Sequence, residues 1–157
     1  MMFAARVVLC LLAVLSAVVE SNAADRVALV IGNGAYRNQP ALPNPTRDAS
    51  DVTASLKRLG FAVTTVLDVD AAATRKALVE FGRATPGSGR ALVFYAGHGI
   101  EVGGENWLIP VDAELRNDTD AEYEAVSLKA VTLQVAKARQ LGLVILDACR
   151  NNPFAAK

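Results

Sequence analysis

The sequence predicts an α/β domain built on a mainly parallel sheet with helices on both faces. Three observations point to it. Short, near-continuous apolar runs read as strands buried on both sides, stretches of helical periodicity lie between them, and glycine or proline marks most junctions. Residues 26–31 form the first such run and end at Gly32-Asn33-Gly34. A loop carrying Pro40, Pro43 and Pro45 follows, with Asn44 as the expected N-cap of a helix and Pro45 in its first turn. Ala49, Val52, Leu56 and Leu59 supply that helix's apolar face, and Gly60 ends it. Residues 61–67 read as a second strand and 72–83 as a second helix, stopped by Pro86-Gly87-Ser88-Gly89. Residues 90–96 are a third strand running into Gly97-His98-Gly99. Gly103-Gly104 makes a turn, and 106–109 reads as a short return strand. A third helix is expected over 121–140, with Leu128, Val131 and Val135 on one face. A last buried strand is expected over 143–146, leading into Asp147-Ala148-Cys149.

Residues 1–23 stand apart. One positive charge (Arg6) precedes an almost unbroken apolar run over 7–19, and Ser21-Asn22-Ala23 follows. This is the layout of a secretory signal peptide, and the run is short for a membrane span of roughly 20 residues. The expectation is a leader over 1–23, a single domain over 24–157, and a periplasmic or secreted product with no membrane association after cleavage. Removing the leader takes Arg6, Glu20 and Cys10, so the net charge stays at zero. No basic excess is left to draw nucleic acid. Cys149 then remains as the sole cysteine and His98 as the sole histidine, which excludes an internal disulfide and a Cys/His zinc site. Gly32-Asn33-Gly34 lacks the third glycine of a dinucleotide-binding loop, since Arg37 stands there.

His98 and Cys149 each sit just past the carboxyl end of a predicted strand, where open α/β sheets bind their ligands. A thiol reacts as the thiolate and needs a base within hydrogen-bond reach. If the third and last strands are neighbours, the two side chains can meet, with Gly99 and Cys149 N–H groups as candidates for an oxyanion hole.

Tyr95-Ala96-Gly97-His98-Gly99 and Asp147-Ala148-Cys149-Arg150, with about 50 residues between histidine and cysteine, resemble the two signature blocks of the caspase/metacaspase superfamily. The run from Leu146 to Phe154 is similar to its bacterial caspase-like branch, and Ile31-Gly32-Asn33 and Leu108-Ile109-Pro110-Val111-Asp112 also look familial. The resemblance implies a cysteine endopeptidase with Cys149 as nucleophile and His98 as general base and acid, acting through a thioester. Asp147 stands where caspases carry glutamine, and Asp48 matches an acidic metacaspase position, although Arg47 replaces the usual asparagine before it. Together they imply a pocket for arginine or lysine in a polypeptide substrate; a helix-dipole role for Asp48 is the alternative. Some metacaspases bind calcium through acidic residues after the histidine block. Asp112 matches one such position, but Val126-Ser127-Leu128 stands where a paired acidic motif is expected, and Asp118, Asp120, Glu122 and Glu124 read as solvated surface. No metal or cofactor is assigned.

The resemblance further implies a three-layer sandwich around six strands, the last two supplied by a region after the cysteine block. The chain ends at Lys157, so an open sheet edge and an incomplete groove are expected. A fragment, a truncated product, a homodimer, and an inactive interaction or scaffold module all stay open.

Overall fold

The computed structural model describes residues 24–148. The proposed leader over 1–23, and Cys149 with the residues after it, lie outside that range. In chain order the elements are β1 (Arg26–Gly32), α1 (Pro45–Arg58), β2 (Ala62–Leu67), α2 (Ala71–Ala84), β3 (Arg90–Ala96), β4 (Gly99–Val102), β5 (Glu105–Leu108), α3 (Ala121–Glu124), β6 (Val126–Ser127), α4 (Leu128–Val135) and β7 (Leu141–Asp147). Among the described residues no helix is long and apolar enough to cross a membrane.

The principal sheet has the order β2-β1-β3-β7, and every pair in it is parallel. Successive strand residues point to opposite faces. Ala28, Val30, Leu92, Phe94 and Ala96 therefore meet Ala49 and Leu56 of α1 on one face. Val27, Leu29, Ile31, Ala91, Val93 and Tyr95 meet α2 and α4 on the other. The expected parallel α/β sheet with helices on both faces is what the chain forms. A smaller antiparallel sheet, β4-β5-β6, covers one end. Its cluster of Ile100, Ile109, Val111, Ala113 and Leu115 packs around Tyr36.

Local sequence explains most boundaries. A Cβ on Gly32 would lie 2.6 Å from the Pro45 carbonyl oxygen and 2.7 Å from Ala49 Cβ. The missing side chain is what lets the N-terminus of α1 close onto the end of β1. Asp70 caps α2 by accepting from the Ala73 N–H at 2.7 Å. Asn44 differs from expectation: the helix begins there, but its side chain makes no cap bond, and its backbone oxygen accepts from Arg47 and Asp48 instead. Its helical backbone (φ −102°, ψ −31°) does not have the extended geometry of a side-chain cap.

Two expectations are corrected. The helix expected over 121–140 is broken into α3 and α4 by an extended Ala125 and the β6 residues Val126 and Ser127, which pair with Leu108 and Trp107. Cross-strand pairing overrides helical periodicity here, and no glycine or proline signals the break. Ser127 then restarts the helix, its Oγ accepting from Ala130 N–H at 3.1 Å. The last strand is longer than 143–146 and is buried on one face alone. Val144 and Leu146 join the core beneath α2 and α4, whereas Leu141, Leu143 and Ile145 are 51%, 41% and 41% exposed. Helix α1, which lines the opposite face over β1 and β3, leaves these three uncovered.

Ser127→Ala removes the cap that separates α4 from β6. The expected outcome is a loss of about 1 kcal/mol of stability, read as a lower urea midpoint with an unchanged slope.

Candidate active site

The chain runs from β1 through α1 to β2 on one side of β1, then through α2 to β3 on the other side. This reversal opens a crevice at the carboxyl ends of β1 and β3, where open parallel sheets hold ligands. Beside it, β3 pairs with β7 in a register that sets Ala96 opposite Asp147. The Gly97 N–H donates to the Asp147 carbonyl at 3.2 Å and carries the ladder one step further. The third and last strands are thus neighbours, and the loop holding His98 leaves the sheet next to the exit of β7.

A cleft of about 680 Å³ occupies this position. His98, Gly99, Asp48 and Asp147 all line it, together with Leu42, Pro43, Asn44 and Ala148. Four of the five residues singled out from the sequence therefore share one cavity. The fifth, Cys149, lies outside the described residues; it follows Ala148 directly in the chain. Its thiol and its N–H thus fall outside the described geometry.

His98 is half-buried, and one segment holds it from three directions. Its Nε2 lies 2.8 Å from the Pro40 carbonyl oxygen. A carbonyl can only accept, so this contact requires the proton on Nε2 and leaves Nδ1 as the basic nitrogen. The Tyr36 ring packs against the imidazole with centroids 4.5 Å apart and planes at 51°. The His98 N–H donates to the Tyr36 hydroxyl at 2.7 Å, while the His98 carbonyl accepts from the Tyr95 hydroxyl at 2.6 Å and from the Ile109 N–H at 3.1 Å.

The segment carrying Tyr36 and Pro40 is itself fastened. Leu42 N–H donates to the Gly34 carbonyl at 3.0 Å, closing the loop between them. Asp68, at φ +50°, accepts from the N–H groups of Gly34 at 2.7 Å and Ala35 at 2.8 Å. On the far side Arg37 N–H donates to Val111, and the side chains of Asn38 and Gln39 donate to the carbonyls of Asp112 and Glu114. Burial raises the phenol pKa of Tyr36 and pushes that of Tyr95 well above its ordinary value. Both hydroxyls stay protonated and remain available as donors.

The two acidic residues differ in setting. Asp48 sits in the first turn of α1 and has one loose ion pair, with Arg47 at 3.9 Å, whose side chain is 71% exposed. Such a pair contributes little. Asp147 is exposed at the end of β7. The acidic residues considered for calcium make other bonds. Asp112 Oδ1 accepts from Ala71 N–H, Asp120 from Arg116 and Asn117, and Glu124 from Glu114 and Leu115. Among the described residues no three carboxylate, cysteine or histidine groups converge as a metal site would require.

Sequence reasoning missed Tyr36 and Pro40. Pro40 acts through a backbone carbonyl, which every residue possesses, so no residue type could signal it. Tyr36 offered a weak cue, as a lone aromatic in a polar, proline-rich loop.

Two outcomes follow from this packing. A Cβ on Gly97 would lie 2.6 Å from the Tyr36 hydroxyl and 2.7 Å from that of Tyr95, both held in buried hydrogen bonds. Gly97→Ala is expected to destabilise the fold by about 1–3 kcal/mol, measurable by thermal unfolding. The tyrosines also set an alkaline limit. Their folded pKa values lie above the unfolded value of about 10, so the unfolded chain loses these protons first. Their contribution is complete below pH about 10 and declines as pH rises beyond it. Urea midpoints measured across that range should fall, and less steeply in Tyr36→Phe.

The family model described as caspase domain matches residues 25–157. The human mucosa-associated lymphoid tissue lymphoma translocation protein 1 is 36% identical over 128 residues, which is 82% of this chain and 15% of that protein. Its mouse homolog is 34% identical over the same span. A solved protein of Geobacter sulfurreducens superposes with a TM-score of 0.61 at 21% identity, covering 81% of this chain and 52% of its own. The chain spans about a seventh of the curated relatives and about half of the solved one. With the sheet, the cleft and the histidine loop in place, these matches lead to one conclusion: the chain belongs to the caspase domain family, a family of cysteine proteases.

Proposed function

We propose that this chain carries the catalytic core of a cysteine endopeptidase, with Cys149 as nucleophile and His98 as its base. The observation that carries the reading is the contact of His98 Nε2 with the Pro40 carbonyl, which leaves Nδ1 free, in a cleft lined by the residues leading to Cys149. Nδ1 takes the thiol proton, and the thiolate attacks the scissile carbonyl. The N–H groups of Gly99 and Cys149 hold the resulting oxyanion. Collapse expels the amine, which receives the proton back from His98, and leaves a thioester. Water, deprotonated by His98, then attacks the thioester; the acid leaves and the thiol is restored.

Asp48 and Asp147 make the cleft acidic, which supports cleavage after arginine or lysine rather than aspartate. Substrates are polypeptides, delivered to the periplasm or the exterior if residues 1–23 act as the leader they resemble, which leaves 24–157 as the catalytic domain. No metal enters these steps. A second reading, an interaction module that has kept the fold without turnover, draws on one observation: the exposed apolar face of Leu141, Leu143 and Ile145.

An arginyl chloromethyl ketone tests the first reading by mass spectrometry. Labelling at Cys149 is expected, slowed about 100-fold or more by His98→Ala; labelling independent of His98 would exclude the dyad. Asp147→Gln and Asp48→Asn are expected to reduce the arginyl over the norleucyl probe about tenfold each, and an unchanged ratio would remove these residues from the pocket.

A further inference from the structure

The Tyr36 side chain touches His98 in two independent ways. Its ring lies 4.5 Å from the imidazole centroid, and its hydroxyl accepts the His98 backbone N–H at 2.7 Å. The same hydroxyl reaches the Ile109 carbonyl at 3.2 Å and the Tyr95 hydroxyl at 3.3 Å. Tyr95 holds the His98 carbonyl, so the peptide units on both sides of this histidine end on phenols. An imidazole bonded at Nε2 alone can still swing about that bond and sweep Nδ1 through a wide arc. A ring packed against it at a 51° tilt limits that freedom, because rotation toward that side would drive the imidazole into the tyrosine. The tyrosine is in turn held in place: 8% exposed, in a loop closed by Gly34 and Leu42 and anchored by Asp68.

We propose that Tyr36 is a positioning residue for the His98 imidazole, its ring restricting the imidazole plane and its hydroxyl fixing the backbone below. This rests on the reading of His98 as the base of Cys149. Tyr36 touches no reacting atom; it acts through His98. Misplacing a reacting group by about 1 Å can cost about 100-fold in rate, so loss of the ring should be visible well above measurement error.

The test uses the full chain with Cys10→Ala and follows alkylation of Cys149 by iodoacetamide against pH, a readout that needs neither turnover nor the arginine pocket. Tyr36→Leu is expected to slow alkylation at neutral pH at least about tenfold and to move the acid limb of the profile toward that of His98→Ala. Tyr36→Phe, which keeps the ring, should recover most of the rate. A purely structural role predicts instead a lower melting temperature with the wild-type profile retained. If folded Tyr36→Leu keeps that profile, the proposal fails while the dyad stands; if His98→Ala alkylates as fast as wild type, the dyad itself fails. Should Tyr36→Leu not fold, a wild-type measurement decides. The single histidine gives one imidazole C2–H signal, and a nuclear Overhauser contact between the His98 and Tyr36 rings is expected. Its absence overturns the proposal.

Discussion

One buried amide holds the site end of this molecule together. Asn33 has no exposed surface, and three of its polar groups are matched to three different segments. Its backbone N–H donates to Ala96 at the end of β3, its Oδ1 accepts from Val69 N–H on the way into α2, and its Nδ2 donates to Ile109 as β5 ends. A buried polar group left without partners costs about 1–3 kcal/mol, so these segments are tied to one geometry or all are penalised. The Tyr36 and Tyr95 hydroxyls converge on the same Ile109 carbonyl. The loop over the sheet, the histidine turn and the small antiparallel sheet therefore share one polar knot. The apolar layers supply the bulk of the stability, and the knot decides where their ends lie.

That division of labour explains what could be read from the sequence. The apolar runs of β1 and β3 were plain because strands buried on both faces need continuous Val, Leu and Ile. Helices α1 and α2 were plain because a single apolar stripe and clear stop signals mark them. The cleft was legible to the level of strand ends: His98 and Asp147 line one cleft since their strands are neighbours, and Asp48 joins them from the first turn of α1. Backbone acceptors were beyond reach. Nothing in the residue type of Pro40 announces that its carbonyl meets an imidazole 58 positions away. The break between α3 and α4 was hidden for a related reason: Val126 and Ser127 leave the helix to satisfy β5, and only the fold brings β5 there. The open face of β7 was misread because alternation is invisible in a run where every residue but one is apolar or glycine.

The caspase domain family gives this arrangement its setting. The histidine of this chain carries two tyrosines and a backbone carbonyl as supports, and its cleft presents two carboxylates, with one weak ion pair, at Asp48, among the described residues. The supported imidazole and the two carboxylates are separate features of one cleft, held by different elements of the fold.

The strand order has a bearing on how the site comes into existence. The tyrosine loop, the histidine turn and the knot on Asn33 use residues from the first three strands of the parallel sheet and the hairpin after them. The opposite wall of the cleft comes from β7, some 50 residues later, which at about 5–20 residues per second emerges several seconds after β3. Until then β3 is an edge, and the groove beside His98 is half a groove. Access to the carboxyl ends of the strands arrives last, with the segment that leads to the thiol. A chain caught partway through synthesis thus holds the His98 turn fully braced before the second wall of its cleft exists.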